Sequence, residues 1–381
     1  MHAATSYVHS ATLPGKRPQL GIVAKRCYRI MPQRRAEVGT APPSRTPEPV
    51  TVSVGGSPHD VMLLADSDIC GFIKPFTDVL LRGSAYALQG PAKRIDTGVR
   101  VGAAYKRVTA HGDRQICRNA SGRLSSSAAE PFSQMPLTWN RAYGGKDQGD
   151  AGLPPELGVA VRRTATARES YSYPRNRFGV GFVVGEDDER LVGGSMPNLE
   201  DPDDRVTVER LLARDPLAWI DCPSSACYEP LDLLTFPRCM FHLVRPDWHR
   251  PSRPLRELSL GALHEQDLRD RGFAEPPDPR FFNCAPAGLS VCRLRGDERV
   301  SLWNLHRSLA LLEFDLPSDP PRLLIEPPGC RASELPPVLS TVLIEPDEDR
   351  VTLTWVGSTD VAAIFPKAMC KEMKHAAVWS R

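Results

Sequence analysis

The stretch TVLIEPDEDRVTLTWVG, residues 341–357, decides the fold class. Two runs rich in β-branched residues flank the turn sequence Pro-Asp-Glu-Asp at 346–349. Valine, isoleucine and threonine favour extended backbone, whereas proline and aspartate favour a reversal of the chain. The stretch therefore predicts a β-hairpin.

Two further stretches have the same design. GVRVGAAYKRVTAHGDRQICR (98–118) places strand-like runs around His-Gly-Asp at 111–113, and SVCRLRGDERVSLWNL (290–305) places them around Gly-Asp at 296–297. Each is predicted to be a hairpin, because glycine accommodates positive φ at no steric cost. Together the three predict a mainly β protein of antiparallel sheets, sandwich- or barrel-like, with a few short helices and long ordered loops.

The composition agrees with many short strands. The 381 residues include 37 prolines and 28 glycines, and so many helix-interrupting residues disfavour long helices. Lys and Arg number 48 against 46 Asp and Glu, for a net charge of +2. This balance argues against a dedicated nucleic-acid-binding protein. With no secretory signal and no long apolar run, the sequence predicts a soluble cytoplasmic protein without membrane insertion.

The organisation along the chain is predicted as one main domain with two short flanking segments. Residues 1–19 read as a flexible N-terminal tail, followed by a first strand in GIVAKRCYRI (21–30). The β-rich domain is expected over 20–360, either as one body or as two lobes divided near 205–275, with a C-terminal extension at 361–381. Helices are predicted within 206–219 and 254–272 from the spacing of leucine and valine.

One group of residues has the chemistry of a metal site. It consists of Cys222, Cys227, Cys239 and His242, and zinc is bound by such thiolate and imidazole ligands. The first two cysteines are separated by four residues rather than two, which favours buried free thiols over a zinc centre. A metal-dependent hydrolase using this segment is therefore the alternative hypothesis.

No other motif predicts catalysis. Ser195 lies in Gly-Ser-Met, which is not the Gly-x-Ser-x-Gly elbow of hydrolases. No phosphate-binding loop or dinucleotide fingerprint is present. The sequence therefore predicts a protein that is not an enzyme and that needs no cofactor.

Several segments are instead rich in residues that anchor protein interfaces. They are MPLTWNRAYGGKD (135–147), SYPRNRFGVGF (172–182), MPNLEDP (196–202) and PRFFNCAP (279–286). Aromatic and arginine side chains supply large rigid contact areas with directed hydrogen bonds. The same residues could also pin long loops onto the sheets, and both interpretations stay open at this stage.

Taken in order along the chain, eight segments resemble a bacterial domain-of-unknown-function family encoded beside type VI secretion genes. The segments are GIVAKRCYRI, KPFTDVLLRGSAYA, MPLTWNRAYGGKD, RNRFGVGF, MPNLEDP, PPDPRFFNCAP, RLRGDERVSLWNLH and IEPDEDRVTLTWVG. They span roughly 20–360, whereas the region 205–275 is not clearly matched.

The resemblance implies a non-enzymatic adaptor or chaperone for a secreted effector, especially one that carries a PAAR spike-tip domain. The expected partners are that effector and the PAAR and VgrG spike proteins. The candidate partner-binding residues are Arg82, Trp139, Arg141, Tyr143, Asn198, Glu200, Asp201, Phe281, Phe282 and Asn283. Trp139 distinguishes the two interpretations, since it either contacts a partner or packs in the core.

Overall fold

The computed structural model describes residues 4–11, 17–40, 43, 50–51, 61–62, 74–148, 170–173, 175–176, 178–185, 187–213, 222–231, 282–329, 331–362, 365 and 367–379. Within them the protein is mainly β, which confirms the predicted fold class. Most strand pairs are antiparallel, and no sheet closes into a barrel in the described part of the chain.

Two large sheets form the body of the molecule, with strands numbered along the chain. The seven-stranded sheet contains β1 (Ala4–Ala11), β2 (Gln19–Arg29), β3 (Glu37–Val38), β6 (Thr77–Leu81), β20 (Ser290–Val291), β25 (Val338–Glu345) and β26 (Arg350–Asp360). The five-stranded sheet contains, in spatial order, β18 (Leu199–Glu200), β9 (Ala104–His111), β8 (Arg94–Val101), β21 (Arg299–Trp303) and β22 (Leu311–Asp315).

Smaller elements complete the described structure. A three-stranded sheet contains β24 (Ser333–Leu335), β23 (Arg322–Glu326) and β27 (Lys374–Val378). Two-stranded pairs are β4 (Val50–Thr51) with β5 (Val61–Met62), β7 (Ser84–Tyr86) with β12 (Gln134–Pro136), β10 (Ile116–Arg118) with β11 (Leu124–Ser126), β13 (Tyr143–Gly144) with β16 (Val180–Gly181), β14 (Lys146–Gln148) with β15 (Ser170–Ser172), and β17 (Val183–Val184) with β19 (Leu212–Ala213).

Helical structure is scarce in the described residues. It comprises the α-helix α1 (Lys367–Glu372) and the 3-10 turns Trp139–Arg141, Asp188–Leu191, Val208–Arg210 and Pro346–Glu348. No helix in this part of the chain is long and apolar enough to cross a membrane.

The main core lies between the two large sheets. Val342 and Leu353 of the seven-stranded sheet share one buried cluster with Val99, Leu302 and Phe314 of the five-stranded sheet. The two sheets therefore pack face to face as layers of a sandwich. The five-stranded sheet keeps its other face towards solvent, as the alternating burial of β8 shows.

A second layer covers part of the opposite face of the seven-stranded sheet. Leu20 and Ile22 of β2 pack in one cluster with Leu323 and Ile325 of β23. Because β2 has neighbours on both faces, ten of its eleven residues are buried or half-buried instead of alternating with exposed ones. The near-continuous apolar run in GIVAKRCYRI reflects this double coverage.

Both chain ends take part in these layers. Residues 4–11, expected to belong to a flexible tail, form β1 and pair with β2 over their whole length, from Ala4 opposite Arg26 to Ala11 opposite Gln19. At the other end, β27 pairs with β23. Val8 and Met373 lie in the same buried cluster, so burial of apolar side chains orders both ends.

Of the three predicted hairpins, the one at 341–357 is confirmed. β25 and β26 pair antiparallel around the 3-10 turn at 346–348. Asp349 ends that turn in the left-handed region, with φ of 49°. Aspartate tolerates this conformation because its short side chain makes local hydrogen bonds.

The other two hairpins are wrong in detail. β8 and β9 do form a hairpin, but it turns at Gly102, whose φ is 55°, and not at 111–113. In the stretch 290–305, β20 pairs with β6, whereas β21 pairs with β8 and β22. The Gly-Asp turn at 296–297 therefore carries the chain from one sheet to the other.

The described part of the first predicted helix, 206–219, does not form an α-helix. Residues 208–210 form only a 3-10 turn, and the short strand β19 follows at 212–213. This segment pairs with β17, so its backbone hydrogen bonds go to another strand instead of forming within a helix. The rest of the first prediction, 214–219, and all of the second, 254–272, lie outside the described residues.

Candidate partner-binding surface

The outer face of the five-stranded sheet carries an exposed group of arginine and aromatic side chains. Arg100 of β8 lies directly opposite Tyr105 of β9, and Trp303 of β21 lies opposite Gly98. Directly opposed residues of an antiparallel pair project from the same face of the sheet. The strand register therefore brings Arg100, Tyr105 and Trp303 together, and we call these three residues the Arg-aromatic patch.

The two rings of the patch support each other and the cation. Their centroids are 6.3 Å apart and their planes meet at 87°, an edge-to-face arrangement. The Arg100 guanidinium carbon lies 4.7 Å from the Tyr105 centroid and 5.9 Å from that of Trp303. Cation–π attraction operates within about 6 Å, so the charge contacts both rings.

A glycine makes room for the tryptophan. A Cβ atom at Gly98 would lie 2.9 Å from Cε3 of Trp303, closer than real Cβ contacts. The absence of that atom lets the indole lie across the strand. Tyr105 remains 42% exposed, as does Leu311, which pairs with Trp303 from the edge strand β22. The patch is therefore pre-arranged and accessible.

The charges around the patch are mostly balanced within the chain. Arg94 donates to Asp96 at 3.0 Å, and Arg107 donates to Asp203 at 3.0 Å. Arg299 contacts carboxylates of β22, with Asp315 Oδ1 3.2 Å away. These ion pairs form a polar surround for the rings.

The predicted segment MPNLEDP lies at one edge of the same sheet. His111 Nε2 is 2.7 Å from Glu200 Oε1, and the backbone amide of Val206 donates to Glu200 Oε2. Burial raises the pKa of Glu200, but the hydrogen bond and charge of His111 outweigh it, so the pKa of this carboxyl lies below its usual value. This network holds β18 against β9.

Several predicted binding residues meet in this edge network. Arg141 Nη1 donates to Asn198 Oδ1 at 3.2 Å, and Asn198 Nδ2 donates to Asp113 Oδ1 at 2.8 Å. Asp201 Oδ2 lies 3.6 Å from Lys106 Nζ. Asn198 and Glu200 are buried, whereas the Arg141 side chain is 35% exposed. The network is chiefly structural, and Arg141 is its most accessible predicted member.

Trp139 lies in the core. Only 3% of it is exposed, and its indole Nε1 donates to the carbonyl of Pro230 at 2.9 Å. In the folded domain such a side chain has almost no surface to offer a partner. Its position matches the loop-pinning alternative.

Tyr143, from the same predicted loop, is also fully buried. Its hydroxyl donates to the carbonyl of Leu211 at 2.9 Å, and its ring packs on Tyr173 with centroids 4.9 Å apart. It belongs to a smaller hydrophobic cluster beside the main core. The aromatic residues of 135–147 therefore stabilise the loops from beneath.

Arg82 lies near a buried acid that the sequence did not single out. Burial raises the pKa of Glu229 to about 7, against the lowering effects of the Trp139 amide hydrogen bond and the Arg82 charge. Arg82 itself is half-buried. Glu229 accepts a hydrogen bond from the Trp139 backbone amide and is therefore tied to the Trp139 turn.

Phe282 and Asn283 are buried beside a second acid. Asn283 Nδ2 donates to Asp78 Oδ1 at 2.8 Å, and the backbone amide of Cys284 donates to Asp78 Oδ2 at 2.9 Å. Lys74 donates to the same carboxylate at 2.8 Å, with both side chains fully buried. The segment PRFFNCAP thus anchors β6. Phe281 lies outside the described residues.

The cysteines of the hydrolase hypothesis divide between two clusters. Cys222 lies in the smaller hydrophobic cluster, whereas Cys227 lies in the main core and its thiol donates to the carbonyl of Leu137 at 3.1 Å. Burial raises the pKa of the Cys227 thiol, so the protonated form is favoured in this apolar setting. Cys239 and His242 lie outside the described residues.

Concave surface occurs elsewhere on the molecule. A cavity of about 830 Å³ opens beside the β10–β11 hairpin, lined by Arg118, Gly122, Arg123, Leu124, Asp188, Leu191, Val208, Glu209 and Leu212. Arg118 in its lining is already paired with Asp188 and Glu189. Among the described residues, no three His, Cys, Asp or Glu side chains converge as metal ligands.

Sequence reasoning missed all three residues of the Arg-aromatic patch. A signal was available, because the alternation in RIDTGVRV (94–101) and AYKRVTAH (104–111) puts Arg100 and Tyr105 on the polar face of their strands. Trp303 required the pairing of β21 with β8, which local sequence does not reveal.

Comparison with known proteins places the chain in a family. No curated protein and no solved structure matches it significantly. A family model described as "Uncharacterized protein conserved in bacteria (DUF2169)" matches residues 15–356, most of the chain. That span includes both large sheets except for β1 and the end of β26. The chain therefore belongs to the bacterial DUF2169 family.

Proposed function

We propose that this protein is a non-enzymatic adaptor or chaperone that binds a type VI secretion effector in the cytoplasm and helps to load it onto the VgrG/PAAR spike. The observation that carries the proposal is the exposed Arg-aromatic patch on the five-stranded sheet. Membership of a bacterial family agrees with the resemblance noted from the sequence.

The patch has the composition of a protein-binding hot spot. Tryptophan, tyrosine and arginine are the residues whose truncation most often weakens interfaces. Because the rings of Tyr105 and Trp303 already pack against each other, these two side chains lose little conformational freedom when a partner binds. The surrounding ion pairs resemble the polar rim that encloses such anchors.

Binding at this surface would protect an effector before secretion. An unmounted effector exposes apolar surface or strand edges that are prone to aggregate. A partner that binds only the folding-competent form stabilises that form in proportion to its concentration and affinity. Release would follow when the spike proteins take over the same apolar surface.

The hydrolase alternative receives no support from the described cysteines. Cys222 and Cys227 lie in separate clusters, and Cys227 is held as a buried thiol. We therefore propose no catalytic step.

Co-expression with the product of each neighbouring gene, with and without Trp303→Ala in the adaptor, tests the proposed function. The wild-type adaptor should keep one of these products soluble and co-purify with it. Trp303→Ala should reduce the recovered complex by about tenfold or more, as expected for a hot-spot residue. The free energy of unfolding of the Trp303→Ala adaptor should differ from that of wild type by only about 1 kcal/mol, because Trp303 is partly exposed.

Trp139→Ala is the matched control. Since Trp139 is buried, its truncation should lower the free energy of unfolding by about 3–5 kcal/mol in urea denaturation. If no neighbouring product gains solubility from the adaptor, the proposed function is wrong. If one does but Trp303→Ala binds it like wild type, the patch is not the binding surface.

A further inference from the structure

Arg100 differs from the other arginines on the outer face of the five-stranded sheet. Arg94, Arg107 and Arg299 each contact a carboxylate of this chain. Within the described residues, the Arg100 side chain makes no ion pair and no hydrogen bond, and its contacts are to aromatic rings. It is an exposed cation with no counter-charge among the described residues.

Two further donors beside it are also unused. Neither the Tyr105 hydroxyl nor the Trp303 indole nitrogen makes a hydrogen bond to another described residue. Tyr105 therefore presents an O–H group and Trp303 an N–H group near the Arg100 charge. The apolar surface of the two rings lies between these donors. Exposed Leu311 extends this apolar area to the sheet edge.

We infer that the Arg-aromatic patch binds an internal acidic segment of a partner protein, with an Asp or Glu carboxylate seated against Arg100 and a neighbouring apolar side chain packed on Tyr105 and Trp303. The inference deepens the proposed function and relies on it only for identifying the partner as an effector. Arginine suits this role because its planar fork of donors matches a carboxylate. The rings exclude water beside the pair, which strengthens it relative to an open surface contact.

The charge around the patch favours an acidic protein segment over a nucleic acid. Asp96, Asp203, Glu313 and Asp315 lie around the face and balance its other cations. A phosphate backbone needs several uncompensated cations along its path. Among the described residues of this face, a single uncompensated cation is set among rings, which suits one carboxylate with an apolar neighbour.

Panning a library of random peptides, displayed as internal segments, against the full-length protein tests the inference. Peptides selected by the wild-type protein should be enriched in Asp or Glu adjacent to an apolar residue. The same library panned against Arg100→Gln should show no such enrichment. Internal display excludes recognition of a free terminal carboxylate.

Fluorescence anisotropy of one selected, labelled peptide gives the affinities. Arg100→Gln in the protein, or Gln for Glu in the peptide, should each weaken binding by about tenfold or more. Combining the two changes should add little further loss, since both remove one interaction. Affinity for the wild-type protein should fall as salt is raised.

Arg94→Gln is the matched control, because it removes a cation of the same face that is already paired with Asp96. It should leave peptide affinity within about twofold. The inference is overturned if selected peptides lack acidic residues, if Arg100→Gln selects the same peptides, or if a single-stranded oligonucleotide binds more tightly than any peptide. None of these results would overturn the proposed function, because Trp303→Ala could still disrupt an effector complex. Failure of the inference is therefore distinguishable from failure of the proposed function.

Discussion

At the residue scale, two buried carboxylates illustrate how environment sets ionisation. Burial raises the pKa of Asp78, but the Lys74 ammonium and hydrogen bonds from Cys284 and Ser290 outweigh it, so the pKa lies below the usual value. Glu229 is almost as deeply buried, yet among the described residues its carboxylate accepts one hydrogen bond, from the amide of Trp139, and its pKa rises to about 7. The difference lies in how many donors face each charge.

Glu229 should make stability depend on pH. Its folded-state pKa of about 7 exceeds the ordinary value of 4.5, so the folded protein holds more protons between these values. Its contribution to stability is fully present below about pH 4.5 and is lost as pH rises through about 7. Glu229→Gln should remove this loss and raise the free energy of unfolding at pH 8 by about 3 kcal/mol at most, with little effect near pH 4.

Urea denaturation of both proteins from pH 4 to 8 measures this difference. Glu334→Gln is a suitable control, because Glu334 is exposed and its pKa is lowered by the hydrogen bond from Arg322. It should leave the difference between pH 5 and pH 8 unchanged. Parallel pH profiles for wild type and Glu229→Gln would contradict the prediction.

At the element scale, the Gly-Gly pair of MPLTWNRAYGGKD shows why this loop requires glycine at two consecutive positions. Gly144 and Gly145 have φ of 144° and 105°. A Cβ atom at Gly145 would lie 2.4 Å from the carbonyl oxygen of Gly179, in the segment RNRFGVGF. The two segments run side by side through the parallel pair β13–β16. Glycine here permits backbones to approach more closely than side chains allow.

A matched pair of substitutions separates close approach from backbone strain. Gly90 has the same φ of 105° as Gly145, but a Cβ atom there would meet nothing within 4 Å. Gly90→Ala should therefore lower the free energy of unfolding by about 1–2 kcal/mol from strain alone. Gly145→Ala should lower it by about 1–3 kcal/mol more, because backbone must move. Equal losses in thermal or urea unfolding would show that the close approach contributes nothing.

At the scale of the whole molecule, stability depends on a layered arrangement in which the long apolar strand β2 is paired on both sides. The central seven-stranded sheet has the five-stranded sheet on one face and β23 with its neighbours on part of the other. Its strand β2 is protected along one side by β1 and along the other by β26. A long, apolar strand edge left open would be a template for association.

Deletion of residues 1–11 should therefore cause self-association. It removes β1 and leaves eight residues of β2 without their pairing partners. Size-exclusion chromatography and light scattering should show concentration-dependent oligomers, together with a lower melting temperature. Val8→Thr, which loses a buried methyl group but keeps the strand, should lower the melting temperature without oligomers. A truncated protein that stays in the same oligomeric state as the full chain would contradict this role for β1.

The sequence by itself determined the mainly β class and the hairpin at 341–357. β-branched alternation and turn residues act over a few neighbouring positions, so they can be recognised locally. The same local signals put Arg100 and Tyr105 on the polar face of their strands. They also identified 135–147 as a segment that either contacts a partner or pins a loop onto the sheets.

Only the tertiary structure decided which strands became neighbours, and hence what each side chain does. It placed Trp139 in the core, sent the Gly-Asp turn at 296–297 between two sheets, and brought Trp303 beside Arg100. The physical reason is that a period of two residues fixes the face of a strand, whereas partner and register depend on burial summed over distant segments. A surface patch built across three strands therefore exists only once the sheet has formed.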